Sequence, residues 1–220
     1  MASRLGENIQ REWDKEPFAG ELWDALQARK HDRDTGIAML TELAERGSVL
    51  AMMYLGYAQV SGDGDRDQSA LGERWLIKSA EGGSIEGRFQ LAHHYQRQGN
   101  WEKALRELKI LTEGGYSPAM YALGLYLYRG ELGDRSVPEA LNYLRMARDT
   151  GHLPAMGLLS WIYRKEGYGL TGRLASHWHC LAKIPAVAWY LWHYPNSDKL
   201  RGRPQRPPAA LQGAAALDPH

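Results

Sequence analysis

The feature of the sequence that most limits its fold is an internal repeat. Each of its four units has a glycine followed four residues later by a small residue: Gly47 and Ala51, Gly83 and Gly87, Gly115 and Ala119, Gly151 and Ala155. Four positions beyond each small residue comes a leucine: Leu55, Leu91, Leu123 and Leu159. The glycines are 36, 32 and 36 residues apart, a period typical of helical repeats whose units stack on one another. The chain is therefore predicted to form a stack of similar units.

Each unit is predicted to contain two helices. In the first helix, apolar residues recur at helical spacing, as at Met120, Leu123 and Leu127. A glycine-rich break follows, and the second helix is predicted to begin near a residue that makes a good N-cap: Asp67, Asn100, Ser136 and Thr171. The glycine that starts the next unit would then end this second helix. Small residues at Ala119 and Gly124 would let a neighbouring helix approach closely.

These patterns predict an all-α chain with four parts. Residues 1–18 are a lead segment that can be helical, and residues 19–183 form the helical repeats. Residues 184–194, which are rich in aromatic side chains, are predicted to cap the open end of the stack with a short helix. Residues 195–220 are rich in Pro, Arg and Ala and lack periodicity, so they are expected to be a disordered tail.

The units resemble the Sel-one-like repeat (SLR), a relative of the tetratricopeptide repeat with a longer and more variable loop between its helices. The resemblance covers residues 37–183, and its two clearest runs are Ala51…Leu55-Gly56…Gly62-Asp63-Gly64…Asp67…Trp75-Leu76 and Ala119…Leu123-Gly124…Tyr126…Gly130…Ala140…Tyr143-Leu144…Ala147. The middle unit, around Glu102-Lys103-Ala104-Leu105, has a shorter loop and is closer to a tetratricopeptide unit. The resemblance implies a right-handed α-solenoid of about four to five helix-turn-helix repeats. It also implies a non-enzymatic adaptor, often bacterial, that holds other proteins on its concave face.

The first helices carry a second stripe of residues, offset by one position from the packing stripe. In a superhelix of the tetratricopeptide type, this stripe would line the concave groove. Its members are rich in the aromatic and Arg side chains that dominate binding hot spots, and we expect nine of them to contact a partner protein: Met53, Tyr57, Phe89, His93, Tyr121, Leu125, Tyr128, Trp161 and Arg164. The alternative is that these aromatic side chains fill gaps between repeats, because aromatic residues also dominate ordinary cores.

Composition narrows the classes of partner. The 27 Lys and Arg residues are balanced by 26 Asp and Glu residues, so the basic excess of a typical nucleic-acid-binding protein is missing and no nucleic acid is predicted as a partner. No apolar run approaches the roughly 20 residues that span a bilayer, so no integral membrane contact is predicted. The single cysteine, Cys180, excludes an internal disulfide and fits a reducing compartment, which favours the cytoplasm.

Three alternatives stay open at this point. An immunity-type protein that neutralises a cognate bacterial toxin would have the same repeat. A metalloprotein or enzyme could use His177, His179 and Cys180, but only His177 and Cys180 share one face of a helix, so neither a metal nor a cofactor is predicted. Finally, the aromatic segment at 184–194 could promote oligomerisation.

Overall fold

The computed structural model describes residues 7–61 and 66–168. These ranges contain ten α-helices and no strand, which confirms the predicted all-α helical-repeat fold. The helices are α1 (Glu7–Asp14), α2 (Ala19–His31), α3 (Arg33–Glu45), α4 (Val49–Val60), α5 (Arg66–Glu81), α6 (Ile85–Arg97), α7 (Trp101–Glu113), α8 (Ser117–Arg129), α9 (Val137–Asp149) and α10 (Leu153–Lys165). In the repeat defined above, α4, α6, α8 and α10 are the first helices of their units, and α5, α7 and α9 are the second.

The chain divides into two compact units. The first is Asn8–Glu107, and the second includes Leu108 and the residues that follow, of which the structure describes those up to Tyr168. In the first unit, α2 packs on α3, α3 on α4, α4 on α5 and α5 on α6, and α4 also contacts α6. In the second unit, α8 packs on α9 and α9 on α10.

The turn that separates consecutive repeats has the predicted geometry. Gly47, Gly83, Gly115 and Gly151 have φ angles of 98°, 89°, 80° and 89°, a left-handed conformation that other residues adopt only with strain. The following serine then caps the next helix in two repeats. The hydroxyl of Ser48 accepts the Ala51 N–H at 3.0 Å, and the hydroxyl of Ser84 accepts the Gly87 N–H at 2.8 Å. The glycine therefore ends one helix one residue before the next is capped.

Small residues bring the two helices of a repeat together, also as predicted. A Cβ atom added to Gly56 would lie 2.8 Å from Leu76, and one added to Gly124 would lie 2.6 Å from Leu144. Apolar clusters of buried residues surround these contacts in both units. The cluster in the first unit contains Val60, Leu76, Ala80, Leu91, Tyr95 and Ala104. The cluster in the second contains Met120, Tyr128, Ala140, Leu141, Leu144, Ala147, Ala155, Leu159 and Ile162.

Two of the predicted N-caps behave differently. The Asn100 side chain accepts the Lys103 N–H at 3.3 Å, so it caps α7 as expected. Ser136 occupies the N-cap position of α9, but its side chain makes no capping hydrogen bond. The missing capping bond has little consequence for α9, because Pro138 in its first turn has no N–H to satisfy.

The lead segment packs against the first repeats. Helix α1 buries Ile9 and Trp13, and the indole Nε1 of Trp13 donates to the Tyr54 hydroxyl of α4 at 3.2 Å. The segments predicted at 184–194 and 195–220, and the helix start at Thr171, lie outside the described residues.

Candidate functional site

The predicted site residues of the first unit do not form an open surface. Met53 of α4 is 3% exposed and Phe89 of α6 is 2% exposed, so the expectation that they line an accessible groove needs correction. The physical reason is that α4 and α6 contact each other and both contact α1. Apolar positions on these two helices are therefore enclosed, although they are offset from the main packing stripe.

The other two residues predicted in this unit are half-buried. Tyr57 lies on α4, and His93 lies on α6, where its ring packs edge-on against Phe89 with the ring centres 4.5 Å apart. Burial is the main reason that the pKa of His93 falls from its ordinary value of 6.5 to about 4. The imidazole is therefore neutral at physiological pH and does not present a positive charge to a partner.

A cleft of about 400 Å³ does exist in the first unit, but it lies elsewhere. Its walls come from α1 and from the turns before α4 and α6, and its lining includes none of the predicted site residues. The carboxylates of Glu12 and Glu16 reach across it to backbone N–H groups of α6 and α4. Its acidic groups therefore already accept hydrogen bonds from the backbone of the chain.

In the second unit, three predicted residues meet at one cleft. Leu125, Tyr128 and Trp161 line a space of about 490 Å³ between α8 and α10. The remaining lining residues, which the sequence analysis did not select, are Arg129, Arg135, Leu158 and Lys165. The cleft therefore combines an apolar and aromatic wall with three basic side chains.

The aromatic side chains of this cleft differ in exposure. Tyr128 is 6% exposed, whereas Trp161 is 41% exposed. The two rings meet edge to face, with their centres 5.5 Å apart at an angle of 78°. The Lys165 ammonium lies 4.7 Å from the centre of the Trp161 ring, and the Arg135 guanidinium lies 4.6 Å from the centre of the Tyr128 ring. Cation–π attraction holds both cations against the aromatic wall.

The ionic partners of these cations lie at the edge of the cleft. Arg135 forms an ion pair with Glu166, and its Nε donates to the backbone carbonyl of Tyr128 at 3.0 Å. The Tyr128 hydroxyl donates to the same Glu166 carboxylate at 2.8 Å, and this hydrogen bond and Arg135 hold the pKa of Glu166 below its ordinary value. Arg129 reaches Glu131 at 3.5 Å. Lys165 forms no ion pair within 4.0 Å in the part of the chain that the structure describes.

The last two predicted residues lie beside the cleft rather than in it. Tyr121 is half-buried and packs on the ring of His152, with the ring centres 5.1 Å apart, and burial raises the pKa of its hydroxyl. Arg164 is exposed on α10 and does not line the cleft. Partner binding by any of the nine residues stays a prediction.

Solved structures share this helical arrangement. A protective antigen of uropathogenic Escherichia coli strains, which displays an SLR fold, is similar with a TM-score of 0.58 and 22% identity, over 82% of this chain and 43% of that one. A Sel1 repeat protein from Oxalobacter formigenes is similar with a TM-score of 0.57 and 20% identity, over 74% of this chain and 71% of that one. The chain has an SLR fold. It spans less than half the length of the Escherichia coli antigen, and no protein-family model and no curated protein matches the sequence.

Two further features of this SLR chain bear on the alternatives. Between residues 7 and 168, leaving out 62–65, no three His, Cys, Asp or Glu side chains come together in a group that could hold a metal ion. In the same ranges, no helix has the length and apolar character needed to cross a membrane. The candidate ligands His177, His179 and Cys180 lie outside the residues that the structure describes, as does the segment proposed for oligomerisation.

Proposed function

We propose that this chain is a non-enzymatic adaptor that binds a partner protein on the face formed by α8 and α10. The observation that carries the proposal is the exposed Trp161, which stands beside Leu125, Tyr128 and three basic residues. Trp, Tyr and Arg are the residues most enriched in the energetic centres of protein interfaces. The SLR fold supports the same interpretation, since its repeats present side chains from successive first helices on one face.

Exposure separates Trp161 from residues that only fill the core. Tyr121 and Tyr128 pack within the second unit, which supports the core-filling alternative for these two side chains. Trp161 leaves 41% of its surface in water, and covering a large apolar side chain with a partner contributes roughly 1.5–3 kcal/mol. An indole in this position therefore supports binding more directly than it supports folding.

The lack of catalysis is part of this proposal. The strongly shifted pKa values of His93, Tyr95 and Tyr126 have a structural explanation, because burial among packed helices desolvates these side chains. None of the three lines the cleft between α8 and α10. We also propose a bacterial cytoplasm as its compartment, because the single cysteine, Cys180, fits a reducing environment.

The proposal can be tested by capture with chemical cross-linking in the cells that naturally produce the chain. Tagged wild type would be compared with Trp161→Ala and with Met146→Ala, which truncates another exposed apolar side chain on the second helix α9, 38% exposed. We expect one dominant protein to be captured by wild type and Met146→Ala and to be strongly reduced with Trp161→Ala. Circular dichroism would verify that each variant is folded. Equal capture by all three proteins would exclude the α8–α10 face as the binding site.

A further inference from the structure

We propose that the cleft between α8 and α10 selects an acidic segment of the partner protein. An apolar side chain of that segment packs on Trp161, and carboxylates on either side of it pair with Lys165 and Arg129. The inference rests on the proposed adaptor function and specifies the chemistry of the partner at the same site.

The charge of the cleft differs from that of the chain as a whole. The whole sequence is nearly neutral, with a formal net charge of +1. The residues that line this cleft are three cations and four uncharged side chains, and Glu131 and Glu166 at its edge pair with two of the cations, which leaves one cation in excess. Such a local excess of one sign attracts segments of the opposite sign and repels segments of the same sign. Charge complementarity therefore favours an acidic occupant.

Two of the three cations have bonding capacity left for a ligand. Arg135 is held by Glu166 and by the carbonyl of Tyr128, so it serves to fix the wall of the cleft. Lys165 forms no ion pair with any described residue within 4.0 Å, and its ammonium lies over Trp161 at 4.7 Å. Arg129 meets Glu131 at 3.5 Å with 56% of its side chain exposed. Carboxylates of a partner can reach both groups from the solvent side.

The apolar part of the cleft limits the size and kind of the occupant. Leu125 and Leu158 are half-buried on facing helices, and Trp161 stands at the edge with its indole exposed. A volume of about 490 Å³ lies within the range of about 300–1,000 Å³ that is common for ligand pockets, which suits a few side chains rather than a domain. A short segment with an apolar residue between acidic ones fits both the wall and the cations.

Single-stranded nucleic acid fits this site less well, although it is also anionic. Proteins that bind it present successive aromatic rings on which consecutive bases stack. In this cleft Trp161 is exposed, whereas Tyr128 is 6% exposed and its ring is covered by Arg135. One accessible ring with a leucine wall favours a protein segment, and an oligonucleotide becomes one arm of the test.

The experiment is a selection of random peptides displayed on phage against the full chain, with counter-selection against Lys165→Glu. Binding of the selected peptides would then be measured by fluorescence anisotropy. We expect enriched sequences in which Asp or Glu flank Leu, Phe or another large apolar residue. Their affinity should fall about tenfold with Trp161→Ala or Lys165→Glu, because each variant removes one half of the recognition.

Two matched variants serve as controls. Met146→Ala removes an exposed apolar side chain from α9, and Lys109→Glu reverses an exposed charge on α7. Both are expected to leave peptide affinity within about twofold of wild type, since surface changes away from a site have small effects. Peptides with Lys in place of each Asp and Glu should not bind. Raising the NaCl concentration from about 0.05 to 0.5 M should weaken the acidic peptides several-fold by screening.

The possible results separate this inference from the proposed function. Enriched peptides that are neutral or basic, yet lose affinity with Trp161→Ala, would overturn the acidic preference and leave the adaptor function intact. Peptides whose affinity is unchanged by both Trp161→Ala and Lys165→Glu would exclude this cleft as their binding site. Failure to enrich any peptide, or tighter binding of an oligouridylate than of every selected peptide, would also overturn the inference. The adaptor function would then be judged by the cross-linking experiment alone.

Discussion

The carboxylate of Glu12 accepts a hydrogen bond from the hydroxyl of Ser84, 72 residues further along the chain, at 2.6 Å. It also accepts the N–H groups of Ile85 and Glu86 in the first turn of α6, at 2.9 and 3.2 Å. One turn later in the sequence, Glu16 accepts the Leu50 N–H in the first turn of α4 at 3.3 Å. The first N–H groups of a helix have no partner within the helix, so a carboxylate that accepts them is favoured there, and the helix dipole adds to this attraction. The lead segment therefore caps the N-termini of α4 and α6, the first helices of two successive repeats.

This relationship predicts the effect of Glu12→Ala. The variant leaves the first N–H groups of α6 without their acceptor, so we expect the free energy of unfolding to fall by about 1–2 kcal/mol. Asp14→Ala removes a carboxylate from the same helix that is exposed and bonds only to Gln10 among the described contacts, and its effect should stay within about 0.5 kcal/mol. Urea unfolding followed by far-UV circular dichroism measures both. Equal effects would mean that the cap contributes nothing.

A second prediction concerns His93 and the pH dependence of stability. Burial lowers the pKa of His93 to about 4 in the folded chain, whereas its ordinary value is 6.5. Between these two values the unfolded chain binds a proton that the folded chain does not. The free energy of unfolding should therefore decrease as the pH falls from 6.5 to 4, by up to about 3 kcal/mol. Above pH 6.5 this contribution is fully present.

The measurement must isolate His93 from other groups. His94 also has a pKa lowered by burial and acts in the same direction, whereas burial raises the pKa of Glu12, which therefore stabilises the folded chain as the pH falls. Urea unfolding at several pH values should be compared between wild type and His93→Gln. The variant should lose a clear part of the slope between pH 6.5 and 4. Parallel curves for the two proteins would show that His93 does not titrate with a lowered pKa.

The repeat could be predicted from sequence because its signals are local. A glycine that ends a helix, a serine that caps the next one and a small residue within it all lie within a few positions of one another. Gly47, Ser48 and Ala51 therefore indicate a helix boundary whatever the rest of the chain contains. The role of Glu12 could not be predicted in this way, because its acceptor bonds join residues more than 70 positions apart. Such a pairing depends on how α1 packs and not on any periodic pattern.

The candidate site was predictable in part for the same reason. Leu125, Tyr128 and Trp161 follow helical spacing, and Leu158 and Lys165 lie three residues before and four after Trp161, so the same spacing could have found them. Arg135 lies between α8 and α9, where no period applies. Met53 and Phe89 are buried although they are offset from the packing stripe, because α4 and α6 contact each other and each also contacts α1. The SLR resemblance supplies the repeat but not this extra helix.

A third prediction distinguishes the two aromatic residues of the cleft by stability. Tyr128 is 6% exposed and its hydroxyl bonds Glu166 at 2.8 Å, so Tyr128→Ala should lower the free energy of unfolding by about 3 kcal/mol. Trp161→Ala should lower it by a smaller amount, about 1 kcal/mol, because 41% of Trp161 is already exposed to water. Thermal and urea unfolding of the two variants provide the comparison. A large loss with Trp161→Ala would make that residue part of the core and remove the main support for binding at this face.

The last prediction uses two glycines in first helices of the second unit. Gly124 lies in α8 where an added Cβ would come within 2.6 Å of Leu144 and 3.1 Å of the Ala140 carbonyl, whereas a Cβ on Gly157 of α10 would meet nothing within 4 Å. Both residues are inside helices, so alanine improves helix propensity by about 0.5–1 kcal/mol at either place. At Gly124 the gain is outweighed by overpacking, and Gly124→Ala should destabilise the chain by about 1–3 kcal/mol. At Gly157 nothing opposes it, so Gly157→Ala should raise the free energy of unfolding. Changes of opposite sign in the free energy of unfolding, measured with urea, would establish that the close approach of α9 to α8 requires the small residue at Gly124. Destabilisation by both variants would instead show that these helices do not tolerate alanine at either position.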